Sequence, residues 1–562
     1  MVKGSFDGRK GLLSGGGKGV VSCTLGSTTL LFSGVLFNRK ELAQGEENEA
    51  QIVARLYARK GIAAFEELNG PFVLALFDGT QLVLARDHVG QAFLFFRSDG
   101  REVRFSESLN DIPKGEERDW QAFADYLSLG YIPAPRTIWR GVFKLPAGSA
   151  AVFRNGVRSF RRYWTPVYEA SRRLGFEEAA QETKRLVLQA VRRCLEVDDK
   201  AGFLLSGGID SSLLLSLTAE EFPASRKAFT VGFSNPRYDE RALAQTVTRR
   251  SGVEHVTQQV EPSEFATLLK AQRLSGEPFA DSSLLPDCCA MKLAAEQCAA
   301  VLLGDGGDEL FGGYRRYRIM ALRNWLGEGL SRLGGGAASL LAEVLPHASE
   351  GRTSLSSLAR LGKALKRPPV PCYASFQELF SPDDLTVLAP DLFVRKERYG
   401  AIGSYHAVWQ EIFDGSPGVN GVNLIDLLHY LPDDGCRKEG LASECAGIKA
   451  FSPLLDMDVV RFALTLPIDY RLSLRQGKLL LRHIGKEYLP GEILQQVKRG
   501  FGMPVSAWLR KELKPYVMEL PDKLDSFGCF SKSHIRRLVS DHLAGRADHG
   551  SKLWALICCG EA

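Results

Sequence analysis

The segment Leu204-Leu205-Ser206-Gly207-Gly208-Ile209-Asp210-Ser211-Ser212 constrains this chain more than any other. An apolar run opens into a turn of small residues that carries hydroxyls and one carboxylate. The run SSLLLSLTAE that overlaps its end has the composition of a helix. Without bulky side chains, backbone amides in such a turn can point at phosphate oxygens, and the positive end of the following helix faces the same anion. Asp210 suits a Mg²⁺ ligand rather than a phosphate ligand, since a carboxylate beside pyrophosphate is repelled unless a cation bridges them. Alone, the segment also fits an ordinary strand-turn-helix connection, because a short motif takes its meaning from its surroundings.

Those surroundings come with Val301-Leu302-Leu303-Gly304-Asp305-Gly306-Gly307-Asp308-Glu309-Leu310-Phe311-Gly312-Gly313-Tyr314, again an apolar strand followed by a glycine-rich turn, now with three carboxylates. Ligands of a parallel α/β sheet collect at the carboxyl ends of its strands, so two such turns on neighbouring strands can share one nucleotide. For Asp305 the alternative is a turn-capping aspartate beside glycine, since Asp-Gly is a strong turn signal whatever the function.

Together the two turns resemble the synthetase domain of the asparagine synthetase family, an ATP-pyrophosphatase fold. The resemblance extends through FTVGFSNPRYDERALAQTVTRRSGVEH, EPFADSSLLP, YLPDD, PLLDMDVVRFALTLP, GKLLLR and VKRGFGMP, in order. It implies that Ser206, Gly207, Gly208, Asp210 and Ser211 hold the phosphates of ATP and Mg²⁺, with Leu205, Val231 and Gly304 also in the nucleotide site. By the same resemblance Asp308 is the second Mg²⁺ ligand, Asp305 faces the incoming amine, and Lys498 meets pyrophosphate and the developing charge. The implied reaction is ATP-dependent amide-bond formation: a carboxylate attacks the α-phosphorus, pyrophosphate leaves, and an amine captures the acyl-adenylate. Such a site must neutralise three phosphates and keep the amine unprotonated and aimed, which two metal-holding aspartates, a mobile lysine and Asp305 would accomplish.

The first 165 residues resemble a class II glutamine amidotransferase domain. FVLALFDGTQLVLARDHVGQAFLFF alternates and pauses as two strands joined through a turn, and DWQAFADYLSLGY opens with helical character. Glu49 and Arg86-Asp87-His88-Val89-Gly90 stand where that family has comparable residues. The glutaminase chemistry is expected to be absent. It requires an N-terminal cysteine whose own α-amine serves as base, whereas Val2 and Lys3 follow Met1 and Cys23 lies inside the chain. The family's FNGEIYN segment appears as Phe32-Ser33-Gly34-Val35-Leu36-Phe37-Asn38, with Ser33 in place of an amide, and no HRGPD segment precedes it. A further departure is Lys449-Ala450-Phe451-Ser452-Pro453-Leu454-Leu455-Asp456, where the family reads EVRVPFLD. Replacing a Glu by Lys449 and an Arg by Phe451 is expected to alter the acid-binding wall and disfavour aspartate, unless it only rearranges an internal salt bridge.

With 562 residues, 45% hydrophobic, the chain can bury more than one core, and a formal charge of +5 is slight for that size. No nucleic-acid partner or membrane association is expected. Eleven cysteines with no CxxC spacing and no N-terminal apolar run point to reduced, mostly buried thiols in a cytoplasmic protein. Ser14-Gly15-Gly16-Gly17-Lys18-Gly19 lacks the spacing and the hydroxyl of a phosphate loop and reads as a flexible turn. Arg315-Arg316-Tyr317-Arg318 reads as a solvated or phosphate-facing start of a helix, and residues 320–420 as a helical insertion with loops.

The expected architecture is therefore α/β and α+β. A degenerate αββα-type amidotransferase-like domain (1–165) precedes a doubly wound parallel-sheet ATP-pyrophosphatase domain with a helical C-terminal half (166–515) and a helical tail (516–562). The expected function is an AMP-forming carbon–nitrogen ligase using ATP and Mg²⁺. It would take a small-molecule or peptide carboxylate and an amine donor, in a chain able to form homodimers. The alternatives are an asparagine synthetase proper fed by ammonia or glutamine, an intramolecular ligase such as a lasso-peptide cyclase or β-lactam synthetase, and a non-catalytic nucleotide-binding protein. β-Lactam synthetases place a tyrosine where Asp305 stands, which counts against that member of the second group.

Overall fold

The computed structural model describes residues 1–6, 11–15, 20–115, 117–327, 329, 361–393, 401–412, 418–496 and 502–561. Strands β1 (Val2–Phe6), β2 (Gly11–Gly15), β3 (Val20–Leu25), β4 (Thr28–Gly34), β5 (Phe72–Phe77), β6 (Leu82–Arg86), β7 (Phe95–Ser98), β8 (Val103–Ser106), β9 (Val142–Lys144), β10 (Ser149–Arg154) and β11 (Val157–Arg162) form two antiparallel sheets. Their orders are β2-β1-β8-β7-β9 and β11-β10-β6-β5-β4-β3. The all-apolar β5 shows why they stack. Val73 and Ala75 face the other sheet with Phe96 and Phe105, while Phe72, Leu74 and Leu76 face the Glu49–Lys60 helix with Ile52 and Val53. A strand buried on both faces needs no polar alternation. Asp78 closes the β5–β6 turn by accepting from the backbone N–H groups of Thr80 and Gln81. The Trp120–Leu129 helix is capped by Asp119, which accepts from the N–H groups of Gln121 and Ala122.

The third sheet is parallel throughout: β12 (Gly202–Leu204), β13 (Lys227–Gly232), β14 (Glu254–Gln259), β15 (Ala300–Leu302) and β16 (Lys449–Phe451), in the order β14-β13-β12-β15-β16. From β12 the chain builds outward to β13 and β14, then returns to place β15 on the other side of β12. That reversal opens a crevice at the carboxyl ends of β12 and β15, which is where both glycine-rich turns emerge. Helices dominate the remainder. The Gly550–Glu561 helix buries Trp554 against Phe265, so the C-terminal segment shares the main core. Parts of the expected 320–420 insertion are helical, at Pro369–Ala374, Pro382–Leu388 and Ala401–Ile412. The rest of the insertion, apart from residues 320–327, 329, 361–368, 375–381, 389–393 and 418–420, lies outside the described residues, as do 16–19 of the Ser14–Gly19 segment, whose Ser14 and Gly15 end β2 rather than form a turn.

The two sheet domains are joined by buried polar contacts. Lys144 pairs with Glu277 at 2.8 Å, both almost fully enclosed. Arg193 spans Asp456 and Glu41, and Asn69 accepts from the N–H of Met457 at 3.0 Å. Arg86 is enclosed and donates to the carbonyls of Gly90, Ala92 and Leu145 within its own domain and Pro432 in the other, with Asp433 3.6 Å away. Asp87 accepts from the N–H groups of Gly90, Gln91 and Ala92. The Arg86–Gly90 run is thus a turn and interdomain clamp.

Candidate active site

The first turn is built by its hydroxyls. Ser206 Oγ lies 3.2 Å from Ser211 Oγ and accepts from the N–H of Gly208 at 3.4 Å. Gly207 has φ +69°, a left-handed conformation that favours glycine, and a side chain there would press on Leu243. The Ile209–Glu221 helix starts immediately beyond, with Asp210 in its first turn. The second turn lies against it: a Cβ on Gly304 would come within 2.9 Å of the Ser211 nitrogen. Leu205, Ser206, Gly208, Asp210, Ser211, Val231, Gly304, Asp305 and Asp308 all line one cleft of about 520 Å³. Gly207 forms the turn behind its wall. Lys498 lies outside the described residues.

Asp210 and Asp308 meet across a residue that sequence reading did not single out. Lys478 Nζ contacts Asp210 Oδ2 and lies 2.7 Å from Asp308 Oδ1. Lys478 sits at φ 58°, ψ 41°, just before the Leu479–Tyr488 helix. A left-handed backbone costs a non-glycine residue about 1–2 kcal/mol. Its N–H donates to the carbonyl of Phe311 at 3.1 Å and its carbonyl accepts from the N–H of Arg482 at 2.8 Å, which fixes the side chain toward the carboxylates. Within GKLLLR the lysine looks like an ordinary polar helix start; only its backbone conformation betrays the role.

A second group was also illegible. Lys438 Nζ lies 3.2 Å from Asp287 and 3.3 Å from Glu439, and all three line the cleft with Asp281 and Asp305. Burial pushes the Asp287 carboxyl up to about 6, against the pull of Lys438, with Asp305 and Asp281 adding to the rise. Burial raises Glu439 well above the ordinary carboxylate range, and Asp305 and Asp287 add to it. Burial opposes the charge on Lys438, but Asp287 and Glu439 outweigh it and hold the ammonium above its usual value. Glu309 rises to about 7 through burial and its neighbour Asp308, while Tyr314 donates to it at 2.8 Å. In sequence, GCRKEG reads as a charged helix surface. It becomes a cleft wall because a π-helix, Asp426–Gly435, runs straight into the Cys436–Ala446 helix and turns that face inward. Arg318, Arg475 and Arg482 line the cleft as well.

Two expectations fail. Lys449 is exposed at the start of β16, and Phe451 is buried with its ring 5.8 Å from that of Phe37 in the N-terminal domain. Neither lines the cleft. Lys449 stands at the exposed start of a short edge strand and Phe451 at its buried end, in the domain contact, so this departure from the family pattern lies outside the cleft wall. The Arg315–Arg318 cluster departs from the expectation at one position: Arg315 is exposed and Arg318 lines the cleft, but Arg316 turns inward. Arg316 is enclosed among Tyr314, Tyr317, Tyr373 and Tyr430 and pairs with Asp426 at 2.7 Å. All eleven cysteines are free thiols, eight of them buried. Among the described residues no helix is long and apolar enough to cross a membrane.

A family model described as asparagine synthase matches residues 182–560, and one described as a glutamine amidotransferase domain matches 14–164. Glutamine-hydrolyzing asparagine synthetase 1 of Bacillus subtilis (strain 168) is 25% identical over 548 residues, covering 94% of this chain and 84% of its own. A putative glutamine-hydrolyzing asparagine synthetase of Mycobacterium tuberculosis (strain H37Rv) is 27% identical over 556 residues, covering 94% and 83%. The amidase chry2 of Gibberella zeae is 26% identical over 298 residues, covering 49% of this chain and 44% of its own.

Proposed function

The chain belongs to the asparagine synthase family and is an ATP-dependent carbon–nitrogen ligase; from that premise we propose that it works through an acyl-adenylate and without hydrolysing glutamine. The carrying observation is the convergence of Asp210 and Asp308, from turns on adjacent parallel strands, upon one ammonium group beside a hydroxyl-lined loop. A substrate carboxylate attacks the α-phosphorus of ATP and pyrophosphate leaves. An amine then attacks the acyl carbon and AMP leaves.

The site suits Mg²⁺: two carboxylates converge on one point, and a Cβ on Gly307 would sit 2.6 Å from Asp210 Oδ1, so glycine keeps the cradle open. Asp210 and Asp308 would hold the ion, which supplies charge neutralisation for pyrophosphate. The Ser206–Ser211 loop and the helix start beyond it would bind phosphate oxygens. Lys498 is assigned to the leaving pyrophosphate by resemblance alone. Asp305, on the acid-rich wall with Asp287 and Glu439, would hold the amine and accept its proton.

Two features support the absence of glutaminase chemistry. The Cys23 thiol, on β3, is raised by burial. Ser33 pairs with Val20 and Val73 within the sheet. The carboxylate substrate stays open, because Lys449 and Phe451 no longer argue against aspartate.

The test is incubation with ATP, Mg²⁺, an ammonium salt and a panel of acids that includes aspartate and short peptides. The expected nucleotide product is AMP, formed only with a competent acid. Formation of ADP and phosphate contradicts the adenylate route. A parallel incubation with glutamine should release no glutamate above a protein-free control.

A further inference from the structure

We propose that Lys478 is a resident counter-ion that excludes divalent metal from the Asp210–Asp308 site until nucleotide arrives. The inference rests on the reading of those aspartates as Mg²⁺ ligands.

The geometry carries it. The Lys478 ammonium touches both carboxylates, and its side chain is 5% exposed. Gly313 packs so closely on this group that a Cβ there would collide with Lys478 Cε and with the Asp308 carboxylate. The backbone of Lys478 is held left-handed between the Phe311 carbonyl and the Arg482 N–H, so the side chain is built into position rather than resting there. An ammonium ion cannot share this point with a metal: it offers no lone pair, and a second cation at the same distance is strongly repelled. Metal entry therefore requires Lys478 to leave.

The charge count says when it leaves. One ammonium between two carboxylates gives the cluster a net charge of one negative, whereas a metal alone would have to expel a buried cation with nowhere to put its charge. ATP brings phosphate oxygens that accept both the metal and the displaced ammonium. The ion then enters as a metal–nucleotide complex, and the nucleotide-free protein keeps its carboxylates in place without metal. The arrangement also removes the repulsion that two buried carboxylates would otherwise feel.

The experiment is a titration of nucleotide-free protein with Mn²⁺ as the probe, read by the paramagnetic resonance signal of the free ion and by Tm. Wild type should bind Mn²⁺ weakly and show no Mn²⁺-dependent rise in Tm. Lys478→Met should bind it at least about tenfold more tightly, since removal of a like-charge contact favours the incoming ion, and Tm should rise with Mn²⁺. Lys478→Gly, which suits the left-handed backbone, should do the same and guards against misfolding of the Met variant. Adding Asp210→Asn to either should abolish the gain. Equal Mn²⁺ affinity in wild type and both variants overturns the proposal, and so does a gain that survives Asp210→Asn. No acid or amine is present in the titration. A ligase assay that yields ADP would defeat the functional reading without touching this result, and a flat titration would leave the ligase reading standing.

Discussion

The two sheet domains have kept opposite things. In the N-terminal sandwich the scaffold is intact: β5 and β6 pair in register, Asp87 caps its turn, and Arg86 is enclosed. On the proposed reading the chemistry there is lost, with Ser33 bound into the sheet and Cys23 an internal thiol. In the parallel-sheet domain scaffold and chemistry survive together, because the same glycines that shape the two turns also set the carboxylates facing Lys478. A fold is maintained by contacts distributed over many residues, a reaction by a few side chains at one point. The first can outlive the second, and that is the reading we propose for the N-terminal domain.

The largest effect that sharpens this contrast lies in the synthetase domain. Asp308→Asn should lower AMP formation by about 10²–10³-fold, the loss typical of one preorganised electrostatic contact, with an unchanged circular dichroism spectrum. Lys498→Ala should cost a similar factor. A near-normal rate in either variant removes that residue from the site. Next comes the N-terminal clamp. Arg86→Ala leaves Asp433 and several carbonyls buried without their partner, and should destabilise the protein by about 3–5 kcal/mol in urea titration. If stability is unchanged, the domain is not held as described.

Phe451→Ala should cost about 3 kcal/mol or somewhat more, by opening a cavity against Phe37, while leaving the ranking of acids unchanged. A changed ranking at retained stability would return Phe451 to the acid-binding wall. The smallest effect concerns His88, whose imidazole burial drives down to about 3, with the Arg461 charge adding to it. A depressed folded value means that the stability from neutral His88 is present above the ordinary value of 6.5 and is lost as pH falls from there toward 3. Nitrogen chemical shifts of the His88 ring should report a neutral imidazole at pH 5. Protonation near 6.5 would contradict its enclosure.

How much of this could be read from the chain depended on where each signal resided. Ser206–Ser211 and Gly304–Asp308 announce themselves because glycine, hydroxyl and carboxylate occur together after an apolar strand, and each demand is local. β5 and β6 were legible for the same reason. Lys478 was not, since its role follows from one left-handed residue and from carboxylates far away in sequence. Lys438 and Glu439 were hidden by a π-helix whose register no simple 3.6-residue pattern reveals. Arg316 carried a misleading signal: three arginines within four residues suggest solvent, yet one of them turns into a cage of tyrosines around Asp426. Phe451 misled differently, because a departure from a family pattern marks a changed contact without saying whether that contact faces a ligand or another domain.

The central claim is that Asp210 and Asp308 form the adenylating centre. The most direct measurement is exchange of labelled pyrophosphate into ATP, dependent on a competent acid and run without amine so that only the first half-reaction is read. Wild-type protein should exchange label in the presence of the acid and Mg²⁺. Asp210→Asn should abolish the exchange, since the amide keeps the shape of the side chain but lacks the charge that Mg²⁺ requires. Exchange at a near-wild-type rate in Asp210→Asn would contradict the account.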